Sequence, residues 1–266
     1  GTFKDVTNIT KVDASWFTMG ITVGDFNNDA YPDIYLSNYG PNVLYQNNGD
    51  GTFTDVTKKA KVGGGKECSV GVVWLDYDND GLLDLYVGNY LNFDPNYKYY
   101  YAPDGFPGPL AYDSQADILY HNKGNGIFED VTKKMGITDI DGRAMGVGAA
   151  DYDDDGFVDI YVANDHTVNY FWHNDAGKGF TNRGIMSGTA FSQSGEATVS
   201  MSVDFSDYNG DELLDMFISD DNYCSLYENI GNGLFNDKSY AAGISVASGQ
   251  FVGWSSSFLD YDNDGD

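Results

Sequence analysis

The side chains in this sequence that can do chemistry are acidic, and they recur at fixed offsets. Asp25-Phe-Asn27-Asn-Asp29-Ala-Tyr-Pro-Asp33 returns as Asp76-Tyr-Asp78-Asn-Asp80-Gly-Leu-Leu-Asp84 and as Asp151-Tyr-Asp153-Asp-Asp155-Gly-Phe-Val-Asp159. It returns again as Asp207-Tyr-Asn209-Gly-Asp211-Glu-Leu-Leu-Asp215, and a fifth copy begins Asp260-Tyr-Asp262-Asn-Asp264. Each loop places carboxylates or amides at positions 1, 3, 5 and, where present, 9. Four such groups in nine residues repel one another unless a cation joins them, and six to eight flexible oxygen ligands suit Ca²⁺. Mg²⁺ fits less well, because it keeps its waters and needs stricter geometry. Position 7 is Tyr31, Leu82, Phe157 or Leu213, whose side chains cannot ligate, so the main-chain carbonyl would serve there. About five Ca²⁺ sites are expected, one per loop.

An EF-hand starts in the same way, but it needs Glu at position 12 and flanking helices. Position 12 here is Leu36, Val87, Val162 or Ile218, which excludes that reading. Asp/Asn/Gly clusters also form ordinary turns without metal; five copies at the same offsets favour the cation. The first loop has Asn27 and Ala30, and the fourth has Asn209 and Glu212, so these two are expected to bind more weakly.

The loops also account for much of the charge. The 266 residues hold 14 Lys+Arg against 41 Asp+Glu, a formal net charge of −27. Seventeen of the 41 acidic residues occupy ligand positions in the five loops. A polyanion of this strength does not grip nucleic acid, which demands Lys/Arg against phosphate, nor an anionic membrane surface. With 41% apolar and 15% aromatic residues the chain can build a packed core. No run of about 18 apolar residues offers a transmembrane helix.

Around each loop the same elements repeat. A small-plus-apolar stretch precedes it (Met19-Gly-Ile-Thr-Val23, Met145-Gly-Val-Gly-Ala149), and a β-rich run follows (Ile34-Tyr-Leu36, Ile160-Tyr-Val162). A third piece ends in Asn (Leu44-Tyr-Gln-Asn47, Leu119-Tyr-His-Asn122, Phe171-Trp-His-Asn174, Leu226-Tyr-Glu-Asn229), then a Gly-rich turn leads to a fourth. Four short antiparallel strands in about 50 residues match one blade of a β-propeller. The expected fold is all-β, a single β-propeller over 1–266 with repeats at approximately 1–50, 51–125, 126–178, 179–232 and 233–266. The acidic loop then joins the first and second strands of each blade. Phe3, Phe53, Phe128, Phe180 and Phe235, at one repeat position, read as core between blades. The chain opens inside one unit and stops inside another, so it is expected to be part of a longer propeller.

These residues resemble the FG-GAP/VCBS repeat superfamily, whose units form calcium-bearing propellers like that of integrin α subunits. The fuller pattern is similar to the cartilage-acidic-protein-like branch, whose bacterial members are secreted. The resemblance covers essentially the whole chain. It implies a propeller that is commonly seven-bladed, a metal between the first and second strands, and an extracellular or cell-surface location.

Residues 92–113 are an insertion with four of the six prolines and five of the 21 tyrosines. It follows a second strand and is expected on the face opposite the acidic loops. Tyr97, Tyr99, Tyr100, Tyr101, Phe106 and Tyr112 would offer a protein or sugar ligand a stiff aromatic surface; packing over its own blade is the alternative. His121 and His173 share one repeat position beside the recurring Asn, which reads as structural, and His166 lies in a turn after the third loop. No catalytic motif is recognisable, and Cys68 and Cys224 are not expected to pair. The expected function is a non-catalytic binding, adhesion or assembly module stabilised by Ca²⁺. A polysaccharide-binding lectin or polysaccharide-active enzyme, and a subunit of an extracellular filament or sheath, stay open as alternatives.

Overall fold

Alternation of apolar and polar residues, broken by Gly and Asn turns, yields sixteen strands in four antiparallel sheets among the described residues. A computed structural model describes residues 1–97, 107–138 and 141–262. The first sheet runs β1 (Phe17–Gly24), β2 (Asp33–Tyr39), β3 (Val43–Asn47), β4 (Phe53–Asp55). The second runs β5 (Ser69–Leu75), β6 (Asp84–Asn89), β7 (Ile118–Asn122), β8 (Phe128–Asp130). The third is β9 (Ala144–Ala150), β10 (Asp159–Asn164), β11 (Tyr170–Asn174), β12 (Phe180–Asn182). The fourth is β13 (Ser200–Ser206), β14 (Asp215–Asp220), β15 (Ser225–Asn229), β16 (Phe235–Asp237). Strands follow chain order within every sheet, so each is a propeller blade, and the described helices are single turns. The sheets close on the Gly-x-Phe strand, so the repeat boundaries at 50, 125, 178 and 232 fall before each blade's last strand.

The first strands of successive blades lie side by side, β1 against β5, β5 against β9 and β9 against β13. The small residues of the small-plus-apolar stretches permit this approach. A Cβ on Gly146 of β9 would stand 2.5 Å from the Ser202 Cα of β13, closer than any side chain tolerates.

The apolar core lies between blades. Phe26, Tyr35 and Leu44 of the first blade meet Leu85, Val87, Tyr120 and Phe128 of the second. Tyr77, Tyr86 and Leu119 meet Ile160, Val162, Trp172 and Phe180 of the third. Tyr152, Tyr161 and Phe171 meet Met216, Ile218, Tyr227 and Phe235 of the fourth. The repeated phenylalanine serves as expected in Phe128, Phe180 and Phe235, and Phe53 is half-buried. Phe3 corrects the pattern: it is fully exposed, having no blade on its own side to enter. The side chains of β1 that correspond to inter-blade contacts, Phe17, Ile21 and Val23, are exposed for the same reason.

The fifth unit forms no strand among its described residues. A first strand pairs with the second strand of its own unit, and the sequence ends before one. Its small-plus-apolar stretch instead runs beside the fourth blade, where the Phe258 N–H donates to Asp204 (2.7 Å) and Ser256 meets Ser202 (2.7 Å). Cys68 and Cys224 are free and buried, and burial pushes the Cys68 thiol up to about 11.

Position 6 of the first four acidic loops is left-handed. Glycine occupies it in the second and third loops (Gly81 φ 84°, Gly156 φ 87°), but Ala30 and Glu212 hold φ 70° in the first and fourth. An L-residue there costs about 1–2 kcal/mol, partly offset by the greater freedom glycine has when unfolded. Ala30→Gly is therefore expected to stabilise the chain by about 0.5–1 kcal/mol in denaturant unfolding; a loss would show that φ 70° carries no strain.

Candidate metal centre

The acidic loops join first to second strands, and each is organised by its own carboxylates. The position 1 aspartates, Asp25, Asp76, Asp151 and Asp207, accept the N–H groups of positions 5 and 6 at 2.7–3.1 Å. The position 5 aspartates, Asp29, Asp80, Asp155 and Asp211, accept the N–H of position 7 at 2.9–3.0 Å. These bonds tie each loop into a compact turn.

Position 9 is buried in every described loop: Asp33, Asp84 and Asp215 are 0% exposed and Asp159 is 1%. One oxygen accepts the main-chain N–H of the Asn that ends the third strand, Asn47, Asn122, Asn174 or Asn229, at 2.7 Å. The other accepts the position 2 N–H at 3.2–3.4 Å. Burial removes these carboxylates from water and disfavours their charge, pushing Asp84 and Asp159 up to about 8 and Asp33 up to about 6. The Asp215 carboxyl is raised for the same reason.

Position 3 separates the loops into two kinds. In the first and fourth it is an amide satisfied within the loop: the Asp29 and Asp211 N–H groups donate to Asn27 and Asn209. In the second and third it is Asp78 or Asp153, each with Oδ1 buried and in no hydrogen bond. Around these two the carboxylates converge. Oxygens of Asp76, Asp78 and Asp80 lie within 4.8 Å of one another, as do those of Asp151, Asp153 and Asp159. Among the described residues, only these two loops gather three carboxylates so closely. The donor set is hard oxygen with unsatisfied buried atoms, and it fits a divalent cation of the Ca²⁺ kind. Asp260 and Asp262 are in the fifth loop, and Asp264 lies outside the described residues.

Three features here escape sequence reasoning. Asn122, Asn174 and Asn229 each reach across a blade boundary, donating Nδ2–H to the position 2 carbonyl of the preceding loop (Phe26, Tyr77, Tyr152) at 2.7–2.8 Å. Asn28 and Asn79, at position 4, donate to the position 6 carbonyl of the next loop (Gly81, Gly156) at 2.8 Å. His121 and His173 bring Nδ1 to 3.2 and 3.3 Å from the position 9 carboxylates Asp84 and Asp159. The fixed spacing of these Asn and His residues is the available signal; the Asn partners lie 50 to 100 residues away, whereas the His partners lie within the same blade.

On the opposite face, Tyr112 corrects the expected ligand surface. It is buried, its ring 5.5 Å from those of Phe93 and Tyr97, and its carbonyl accepts Arg143 Nη2–H at 2.9 Å. This part of the insertion packs back on the molecule, while Tyr97 stays exposed. Tyr99, Tyr100, Tyr101 and Phe106 lie outside the described residues. His166, in its turn, bonds Asp165 at 2.7 Å, and Asp165 also accepts the Tyr90 hydroxyl.

Comparison with known proteins supports the repeat. A family model described as FG-GAP-like repeat matches residues 25–87, 104–162, 151–218 and 207–266. Cartilage acidic protein 1 of Xenopus tropicalis is 27% identical over 187 residues, covering 56% of this chain and 29% of that protein. Its Homo sapiens counterpart is 25% identical over the same length, covering 56% of this chain and 28% of its own. The matched stretch thus spans under a third of these curated relatives. Among solved structures, an Agrocybe aegerita lectin that recognises non-reducing terminal N-acetylglucosamine aligns with TM-score 0.46 and 18% identity, over 80% of this chain and 49% of its own.

Proposed function

The chain belongs to the FG-GAP-like repeat family, and on that premise we propose that it is an extracellular, calcium-stabilised propeller that engages other molecules without catalysis. One observation carries the calcium reading: a buried, unpaired carboxylate oxygen on Asp78 and on Asp153, each inside a ring of further carboxylates. Leaving such an oxygen without a partner is costly, and a cation is the partner its charge calls for.

Asp76, Asp78, Asp80 and Asp84 would hold one ion, and Asp151, Asp153, Asp155 and Asp159 another. The bound ion would supply positive charge that lets the buried position 9 carboxylates stay ionised. Because those carboxylates also hold the third-strand Asn, and that Asn holds the preceding blade, ion binding would tighten the blade boundaries. The first and fourth loops would bind more weakly, their position 3 amides already bonded. Millimolar extracellular calcium suits sites of this class. On the opposite face, Tyr97, Tyr39 and Phe93 form the exposed aromatic surface this reading offers to a protein or glycan partner.

Calcium titration by calorimetry on the wild type and on Asp78→Asn and Asp153→Asn tests the metal assignment. Each substitution is expected to remove one site or weaken it by about tenfold or more, as loss of a charged ligand does. Unchanged stoichiometry and affinity in both variants would refute it. Turnover of any member of a polysaccharide library by the calcium-loaded chain would overturn the non-catalytic part.

A further inference from the structure

We propose that the third blade can bind a first-row transition divalent cation, of the zinc or manganese class, through the imidazole of His173 together with Asp153 and Asp159. The inference rests on the reading of the acidic loops as cation sites and adds a nitrogen donor to one of them.

His173 is deeply enclosed, its side chain 8% exposed, and its Nδ1 is buried without a hydrogen bond. That nitrogen points into the carboxylates: Asp153 Oδ2 is 3.4 Å away and Asp159 Oδ1 is 3.3 Å away. Donor atoms of Asp153, Asp155 and His173 lie within 4.8 Å of one another. A tetrahedral ion with bonds of about 2.0–2.1 Å sets its ligand atoms about 3.3–3.4 Å apart, which is the spacing His173 keeps to both aspartates. The far side of the ring faces a carboxylate too, though beyond hydrogen-bond distance. Nε2 faces the Asp175 carboxylate, 3.9 Å away, and a carboxylate beyond the ring is the common device that fixes a ligating imidazole. Tyr152 stands edge-on to the ring at 6.1 Å and limits its rotation. The Arg183 guanidinium is 3.9 Å from Asp153 Oδ2 and 37% exposed, free to swing aside.

Imidazole with carboxylates suits zinc, manganese or cobalt, whereas calcium takes oxygen alone. The repeat makes the contrast internal to the molecule. The equivalent position is Gln46 in the first blade and Glu228 in the fourth, where Lys238 Nζ already pairs with it at 2.8 Å. In the second blade His121 is 25% exposed and Lys123 stands where the third blade has Asp175, so the outer carboxylate is missing.

The test uses the full chain, freed of metal by a chelator and titrated with Co²⁺ or Mn²⁺ alone, in a His121→Gln background so that only His173 is read. Pulsed electron paramagnetic resonance of the Mn²⁺ form is expected to show coupling to a histidine nitrogen. His173→Gln, the residue native to the first blade, is expected to abolish that coupling and weaken Co²⁺ binding by about tenfold or more, since even a partner one shell out costs about 10–100-fold. Calcium stoichiometry is expected to stay the same. His173→Asn serves as a second variant, with circular dichroism reporting the fold of both. Equal Co²⁺ affinity with and without His173, or no nitrogen coupling, overturns the inference while leaving the calcium reading intact if Ca²⁺ still binds. Uptake of neither cation overturns both.

Discussion

Asn174→Ala is expected to destabilise the chain by about 3 kcal/mol, from about 1–3 kcal/mol for each buried group left unpaired. Asn174 is fully buried. Its Nδ2 donates to Tyr77 O of the second blade at 2.8 Å and to Val158 O of its own at 3.0 Å, and its Oδ1 accepts the Gly177 N–H at 2.8 Å. Alanine leaves the buried Tyr77 carbonyl and the partly buried Val158 carbonyl and Gly177 N–H without these partners. Asn47 is the natural comparison. It makes the same bonds within its blade, to Pro32 O and from Gly49 N–H, both at 3.0 Å, but with no blade before it there is no cross-boundary bond. Asn47→Ala is expected to cost only about 1 kcal/mol. Denaturant unfolding of the two variants measures the difference. Equal losses would mean that the cross-blade bond contributes nothing and that the blades are held by apolar contact alone.

The second large effect is an inverted pH dependence in the metal-free chain. The Asp84 and Asp159 carboxyls are pushed up to about 8 and that of Asp33 to about 6, all chiefly by burial, from an ordinary value of 3.8. Between pH 4 and 8 the folded chain therefore holds protons that the unfolded chain has released. Stability then falls as pH rises through that window, and the metal-free chain should melt at higher temperature at pH 5 than at pH 8. A bound cation reverses the balance, because it favours the ionised carboxylates and is expelled by protonation. The gap between calcium-loaded and chelated melting curves should be widest near pH 8 and close towards pH 5. Parallel curves across this range would show that the position 9 aspartates do not sense the cation.

Much of this molecule is legible in its sequence because the repeat makes local signals mutually consistent. Alternating runs such as Ile160-Tyr-Val162, bounded by Gly and Asn, can only be short strands, and a fixed order of four strands gives the blade. The offsets of the acidic loops likewise need no long-range knowledge. What could not be read is what crosses a blade boundary. Nothing local distinguishes Asn174 as a donor to Tyr77, or Asn79 as a donor to Gly156, since each pair is separated by a whole unit. The direction of His173 is equally hidden: its position beside Asn174 suggested a structural residue, and only the packed blade aims its Nδ1 at Asp153 and Asp159. The sequence leaves two readings of Tyr112 open, because a Pro- and Tyr-rich stretch looks the same whether it projects or folds back. Its main chain is held by Arg143, thirty-one residues further on. Phe3 and the fifth small-plus-apolar stretch follow the repeat in sequence but not in structure: Phe3 is exposed and the stretch forms no strand among the described residues.

The account turns on whether the acidic loops hold a cation that stabilises the blades, and thermal unfolding near pH 8 in excess chelator against millimolar Ca²⁺ tests this most directly. Two sites contributing about 1–3 kcal/mol each raise the midpoint of a chain this size by about 5 °C or more. Most of that rise should be lost in Asp78→Asn/Asp153→Asn. A midpoint unmoved by chelation, or a calcium-dependent rise undiminished by the double substitution, would contradict the account.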